Sequence, residues 1–319
     1  MSLPAKFQNL RLPVVAAPMF LVSGPQLVIE TCKQGVVGTF PALNQRSTEG
    51  FAQWVDEIQA ALAAHDASNP KHKAAPFGVN LIVHKSNERV EADLKVIVEK
   101  KVPLVITSLG AAKEVIDAVH SYGGVIFHDV TNKRHAQKAA EAGVDGLILV
   151  SGGAGGHAGT INPFALMNDI RPFFKGTILL AGAISTGADV LAARAMGADL
   201  AYMGTRFITT KESEAQPEYK QMTIDVGPED IFHTPAVSGI PANFMMSSLK
   251  ANGFTHEILY KAADPSGPPM KVSVNDEAKA WKTVWSAGQG VSAIHDVPTV
   301  AELVDRMESE YNDAKKRIG

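Results

Sequence analysis

Cysteine is all but absent from this 319-residue chain, with Cys32 standing alone. No internal disulfide can form, so stability must come from a packed core, and a reducing, cytoplasmic setting is the expectation. Cys32 itself falls in a helical pattern and reads as a small core residue rather than a reactive thiol. No apolar run approaches the roughly 18 residues that a membrane span needs. The N-terminal MSLPAKFQNL lacks the charged-then-apolar layout of a secretory signal. A surplus of charge is missing too: 30 Lys and Arg against 33 Asp and Glu leave a net charge of −3. That balance argues against a nucleic-acid partner or an anionic membrane surface.

Missing motifs narrow the chemistry further. There is no phosphate loop ending in Gly-Lys-Ser/Thr, and Ser151-Gly152 lacks a Gly-x-Ser-x-Gly elbow. No His/Glu or Cys pair stands at metal-ligand spacing, and His128 and His135 fall on a strand end and a helix, so no metal is expected. Gly153-Ala-Gly-Gly-His-Ala158 is a weak dinucleotide-like match in the wrong context. The next helix starts only near Pro163, and no acid follows about 20 residues on to hold a ribose.

What is present is a hydrophobic fraction of 45% and 27 glycines, ample for one large domain or two ordinary ones. The most informative stretch is Gly146 to Thr160, GLILVSGGAGGHAGT. An apolar run suited to a strand buried on both faces breaks into glycines around one imidazole, His157. Glycines at that density suit positive φ angles or close approach of backbone N–H groups to a ligand. A histidine at the lip of such a loop is a candidate acid or base. Asn162-Pro163 then signals a helix start.

The same strand-then-helix alternation runs through the chain. Strands are expected at Pro13–Met19, Val36–Phe40, Phe77–Leu81, Leu104–Leu109, Val125–Val130, Leu147–Val150, Thr177–Gly182 and Leu200–Thr205. Between them come helices at Pro25–Lys33, from a Ser47 or Thr48 cap through Leu62, and at Glu88–Lys100 and Ala112–Tyr122. Others run from a Thr131 cap to Gly143, over Pro163–Phe174 and over Gly187–Met196. Ala142-Gly-Val-Asp145 and Met196-Gly-Ala-Asp199 repeat one helix-to-strand turn. Eight βα units in roughly 200–250 residues predict an α/β (β/α)₈ TIM barrel, with an open doubly wound sheet as the alternative. After Arg206 the alternation stops. A helix over Glu214–Asp225, a loop-rich Gly227–Pro241 and a Pro/Gly turn cluster at Ala262–Met270 follow. We expect 210–280 to be a lid-like insertion in a barrel formed by 1–209 and 281–319. Trp281–Gly290 reads as a helix running into a glycine turn. Asp296-Val-Pro-Thr299 opens a final helix carrying Val300, Leu303, Val304 and Met307.

Polar and glycine residues gather at the carboxyl ends of these strands, where a barrel builds its sites. They are Pro18 and Met19, Asn80, Thr107 and Ser108, His128 and Asp129, the glycine loop, Gly182, Gly204 and Thr205. Loops after the seventh and eighth strands form the usual anion cradle, so Gly182 and the Met203-Gly204-Thr205 amides suit the phosphate of a mononucleotide. His128 and Asp129 point to opposite sides of their strand, so one of them faces the site. His128 is the expected one.

Ala17-Pro-Met19, Phe77-Gly-Val-Asn80, Ala154-Gly-Gly-His157, Gly197-Ala-Asp-Leu-Ala-Tyr-Met-Gly-Thr-Arg-Phe207 and Trp285-Ser-Ala-Gly-Gln-Gly290 together resemble the nitronate monooxygenase, or 2-nitropropane dioxygenase, family. The resemblance covers nearly the whole chain. It implies an FMN-binding TIM barrel that oxidises alkyl nitronates with O₂ to a carbonyl compound and nitrite. His157 would be the base that takes a proton from a nitroalkane. It places FMN on Pro18, Met19, Asn80, Gly155, Gly182, Tyr202, Met203, Gly204 and Thr205; His128, favoured above to face the site, is expected to join these cofactor contacts. The loop departs from the family's Gln-Gly-x-Glu-Ala-Gly-Gly-His-Arg-Gly, with Val150, Gly153 and Ala158 at the Gln, Glu and Arg places. Asp129 stands where related flavin reductases carry Lys. FMN-dependent NAD(P)H:quinone and enoyl-thioester reductases of the same superfamily are the alternative activity.

Overall fold

The computed structural model describes residues 3–84, 86–108, 110, 112–263 and 282–319. Eight parallel strands close into a barrel: β1 (Val14–Ala16), β2 (Val37–Pro41), β3 (Gly78–Ile82), β4 (Leu104–Ser108), β5 (Val125–Val130), β6 (Gly146–Val150), β8 (Thr177–Ala181) and β9 (Leu200–Met203). β9 returns to pair with β1 through Val15↔Tyr202, which rules out the open sheet. Two side-chain sets result. Val15, Val37, Leu104, Ile106, Phe127, Ile148, Leu179 and Leu200 pack inside, while Val79, Val105, Ile126, Leu147, Ile178 and Leu180 meet the helices. Phe7 stoppers the amino-terminal end against Phe127, ring centroids 5.8 Å apart. Gly146 is small because a Cβ there would strike the Phe127 ring.

The repeated turn has a shared structural purpose. Asp145 Oδ2 accepts from the Ile126 amide and Asp199 Oδ2 from the Ile178 amide, each at 2.8 Å. Each aspartate thus ties the turn before its own strand to the start of the preceding strand. Cys32 is wholly buried, and that burial pushes its thiol up to about 12, so it is a core residue and no nucleophile.

Several boundaries differ from expectation. Asn132, not Thr131, caps the helix Lys133–Ala142, its side chain accepting from the His135 amide. β1 stops at Ala16, which leaves Pro18 and Met19 in the following loop. β9 stops at Met203, and Thr205–Ile208 is a short helix. The stretch read as loop-rich holds a strand, β10 (Ile231–Thr234), antiparallel to β11 (Ala242–Met245). Trp281 lies outside the described residues, as do Leu109 and the turn cluster from 264 onward. The rest of the expected Trp281–Gly290 helix is irregular, with a 3₁₀ turn only at Gln289–Ala293. Ser286, Gly288 and Gly290 offer that stretch little helical propensity. Among the described residues no helix is long and apolar enough to cross a membrane.

The final helix, Val300–Ile318, begins with a Thr299–Glu302 capping box. Its Val300, Leu303, Val304 and Met307 pack with Val14, Ala16, Ala201 and Met203, covering the seam where β9 meets β1. Just before it, Asp296 takes hydrogen bonds from the buried guanidinium of Arg206 at 2.8 Å and from the exposed Arg306 at 2.6 Å. Arg206 therefore braces the barrel wall. Asp296→Ala leaves that guanidinium buried with Thr209 Oγ1 and the backbone carbonyl of residue 296 as acceptors and no counter-charge on that side chain, at an expected cost of about 2–3 kcal/mol. Arg306→Ala removes an exposed partner and should cost below about 1 kcal/mol. Urea unfolding of the two variants makes the comparison, and equal losses refute the assignment.

Candidate active site

Strand parity decides what faces the carboxyl-terminal mouth. On β5 the inward residue Phe127 is followed two positions later by Asp129, whereas His128 shares its side with Ile126 and Val130. His128 is thus turned to the helical shell, its Nδ1 2.8 Å from Thr107 Oγ1. Burial lowers its pKa to about 4. The expectation that His128 faces the site is corrected: Asp129 takes that place. Parity treats Met203 the same way. Its side chain joins the seam cluster, so only its backbone borders the mouth.

Three strands bring Asn80, Ser108 and Asp129 together. Asn80 Nδ2 donates to Ser108 Oγ at 2.8 Å, and Ser108 Oγ donates to Asp129 Oδ2 at 2.6 Å. Asp129 Oδ1 is enclosed, with no hydrogen-bond partner among the described residues. Burial raises the Asp129 carboxyl to about 6, against the lowering effects of the Ser108 hydrogen bond and the nearby charge of His157. Tyr202, the inward residue near the end of β9, has its phenol raised well above the usual range by burial and by the charge of Asp129.

The glycine loop is no loose cover. Gly156 and His157 form a short strand, β7, antiparallel to β11 with Ala242 opposite His157 and Asn243 opposite Gly156. Positive φ at Gly153 (+88°) and Gly156 (+68°) permits the path. Asn243 Nδ2 donates to Ala154 O at 2.6 Å, and His157 Nε2 lies 3.4 Å from Ser238 Oγ. From the other side, the Gln289 amide donates to Gly153 O and the Gly288 amide to Thr205 Oγ1, at 2.8 and 2.9 Å. Gly155 must be glycine at this packing, because a Cβ would lie 2.9 Å from the Gly288 nitrogen. A cavity of about 510 Å³ beside the loop is lined by Gly153, Thr160, Asn162, His233, Asn243 and Gln289. Ser238 and Asn243 escaped the sequence reading because no local motif marks them.

After β8, Gly182 holds φ +128° and packs on Ser151 and Gly152, so a side chain there is excluded twice over. Gly204 is different. A Cβ would sit 3.6 Å from Ala17 and 3.7 Å from Met19 Sδ, so its glycine is not demanded by the chain's own packing. Pro18, Met19, Asn80, Gly155, Gly182, Tyr202, Gly204 and Thr205 all lie on the carboxyl-terminal side of the barrel.

A family model described as nitronate monooxygenase matches residues 2–310. The nitronate monooxygenase of Paraburkholderia phytofirmans is 26% identical, the match covering 96% of this chain and 94% of that protein. Also 26% identical is the (3aS,4S,5R,7aS)-5-hydroxy-7a-methyl-1-oxo-octahydro-1H-indene-4-carboxyl-CoA dehydrogenase of Rhodococcus jostii, with 96% and 93% covered. Among solved structures, nitroalkane oxidase from Streptomyces ansochromogenes superposes with a TM-score of 0.77 at 24% identity, covering 97% of this chain and 98% of its own. FabK from Thermotoga maritima gives 0.77 at 22%, covering 98% and 96%. These likenesses confirm the barrel. With the family match over nearly its whole length, this chain belongs to the nitronate monooxygenase family and is a flavin-dependent oxidoreductase on a TIM barrel.

Proposed function

We propose that this enzyme holds FMN noncovalently and oxidises nitroalkanes, through their nitronates, with O₂ to a carbonyl compound and nitrite. The observation that carries the reading is His157, pinned on the β7–β11 rung at the barrel mouth with its Nε2 3.4 Å from Ser238 Oγ. A base fixed on a strand is pre-positioned for one proton, which is what deprotonation beside a nitro group requires. The cofactor fits on two counts: Gly204 leaves room that packing does not use, and the loops after β8 and β9 can present amides to a phosphate. Gly182, Gly204 and Thr205 would hold the phosphate, with Pro18, Met19, Asn80, Gly155 and Tyr202 around the remainder. Bound flavin supplies the electron acceptor. His157 takes the α-proton, and Asn80 would hydrogen-bond the polar edge of the bound group. We take the described part of 210–280, as far as residue 263, as the inserted lid-like segment, residues 264–280 lying outside the described residues, and the cytoplasm as the reducing setting in which Cys32 stays a thiol.

A second reading is favoured by the loop itself. Val150, Gly153 and Ala158 take away polar side chains expected around a nitronate, and the Rhodococcus relative is named for a CoA thioester. An FMN-dependent NAD(P)H:quinone or enoyl-thioester reductase would tolerate that loss. Anaerobic mixing of the yellow holoenzyme with nitroalkane, nitronate, NADH and NADPH separates the readings. Bleaching of the flavin by nitronate or nitroalkane alone is expected. Rapid bleaching by a nicotinamide, with none by the nitro compounds, would move the enzyme to the reductases.

A further inference from the structure

The small sheet β10–β11–β7 has two faces, and His157 belongs to one of them. It stands opposite Ala242, whose side also carries Phe232 and Phe244. Strand alternation sends Ile231, His233 and Asn243 to the other face, where they border the cavity of about 510 Å³. A single chain of hydrogen bonds fixes the proton positions there. Ala154 O can only accept, so the Asn243 group 2.6 Å from it is the NH₂, and Asn243 Oδ1 is turned to His233. That oxygen is also an acceptor, so His233 Nδ1, 3.0 Å away, carries the ring proton. In the neutral ring Nε2 is then a bare acceptor, with no hydrogen-bond partner among the described residues. Gln289 lines the same cavity. Its backbone amide donates to Gly153 O, while its side-chain carboxamide makes no hydrogen bond among the described residues. No Lys, Arg, Asp or Glu is among the described residues of this lining.

We propose that this cavity is a second binding site, on the sheet face away from His157, and that it takes a neutral carboxamide. His233 Nε2 accepts from the ligand's N–H, and the Gln289 side chain donates to its carbonyl. The volume is of the size that holds a small organic molecule. A carboxylate is disfavoured, because it brings no donor to Nε2 and its charge would lose water without gaining a counter-charge. A ketone of the same shape can satisfy Gln289 but leaves Nε2 unpaired. The site stands whichever substrate the flavin oxidises.

Benzamide, acetophenone and benzoate are the probes, since they share one shape and differ in presenting an N–H, a methyl or a negative oxygen. NMR titration of the holoenzyme at pH 8 reads each affinity independently of turnover. Benzamide should bind about tenfold more tightly than acetophenone, the usual contribution of one hydrogen bond to an otherwise unpaired nitrogen. Benzoate should bind more weakly than benzamide by at least as much. His233→Phe should weaken benzamide about tenfold and leave acetophenone unchanged, abolishing the preference. His233→Gln, which returns an amide oxygen near the place of Nε2, should restore part of it. His157→Asn should leave benzamide affinity at the parent value. The parent supplies a check that needs no variant: nitrogen chemical shifts of the neutral His233 ring should report the proton on Nδ1, and benzamide should move the Nε2 signal. Benzamide no tighter than acetophenone, a preference that survives His233→Phe, or a proton on Nε2 overturns the proposal. Loss of benzamide in His157→Asn with none in His233→Phe would put the ligand in the mouth and overturn it too. Displacement of benzamide by NADH would uphold the site and assign its carboxamide to a nicotinamide; retention of benzamide would uphold it for another amide.

Discussion

His157→Asn should lower kcat/KM for a neutral nitroalkane by about 10²–10⁴-fold, the usual contribution of a positioned base, while turnover of the matching nitronate falls far less. A nitroalkane must lose its α-proton before or during electron transfer, whereas a nitronate has already lost it. Asparagine keeps a polar side chain on the strand but cannot take that proton at neutral pH. The rung itself rests on backbone pairing of Gly156 and His157 with Asn243 and Ala242, so the substitution should leave the loop in place and the flavin bound. Steady-state kinetics on both substrate forms, at matched flavin content, decides the point. Equal losses on the two would make His157 a group that orients substrate or stabilises charge. No loss on either would leave the glycine loop as a cofactor cradle, and the base would then be sought at Asp129, since His128 is turned away.

Gly204→Asp should give a folded, colourless protein, with FMN affinity reduced by about 100-fold or more. A carboxylate about 4 Å from a phosphate opposes binding by roughly 4 kcal/mol at an effective dielectric constant near 20, and each 1.4 kcal/mol is worth about tenfold. The control is what makes the test sharp. Gly204 has a φ of −103°, and a Cβ there meets only ordinary contacts with Ala17 and Met19. Gly204→Ala should therefore fold and stay yellow, separating charge from bulk. The same pair at Gly182 would say nothing, because its φ of +128° and its packing on Ser151 penalise any side chain. Equilibrium dialysis with FMN, alongside thermal unfolding, reads both properties. Full FMN retention in Gly204→Asp would place the phosphate elsewhere.

Much of the architecture could be read from the chain alone, because it is written in local signals. Alternating apolar runs and amphipathic stretches marked the eight barrel strands and the helices between them. Asn162-Pro163 and Asp296-Val-Pro-Thr299 marked helix starts that the structure keeps. The glycine loop with His157 also stood out, since residues that dense in glycine at a strand end have few other uses. Tertiary structure decided the orientations. Barrel strands are buried on both faces, so their sequence carries little alternation to say which side looks inward. On β5 that ambiguity put His128 forward, and only closure of the barrel, with Phe127 inside and Ile126 and Val130 against the helices, brought Asp129 into the mouth. The Asn80–Ser108–Asp129 chain needed three strands in register, which no single segment encodes. The support of His157 came from still further away. β11 reaches it across more than eighty positions, and a long-range pairing of two short strands depends on the assembled barrel to bring them together.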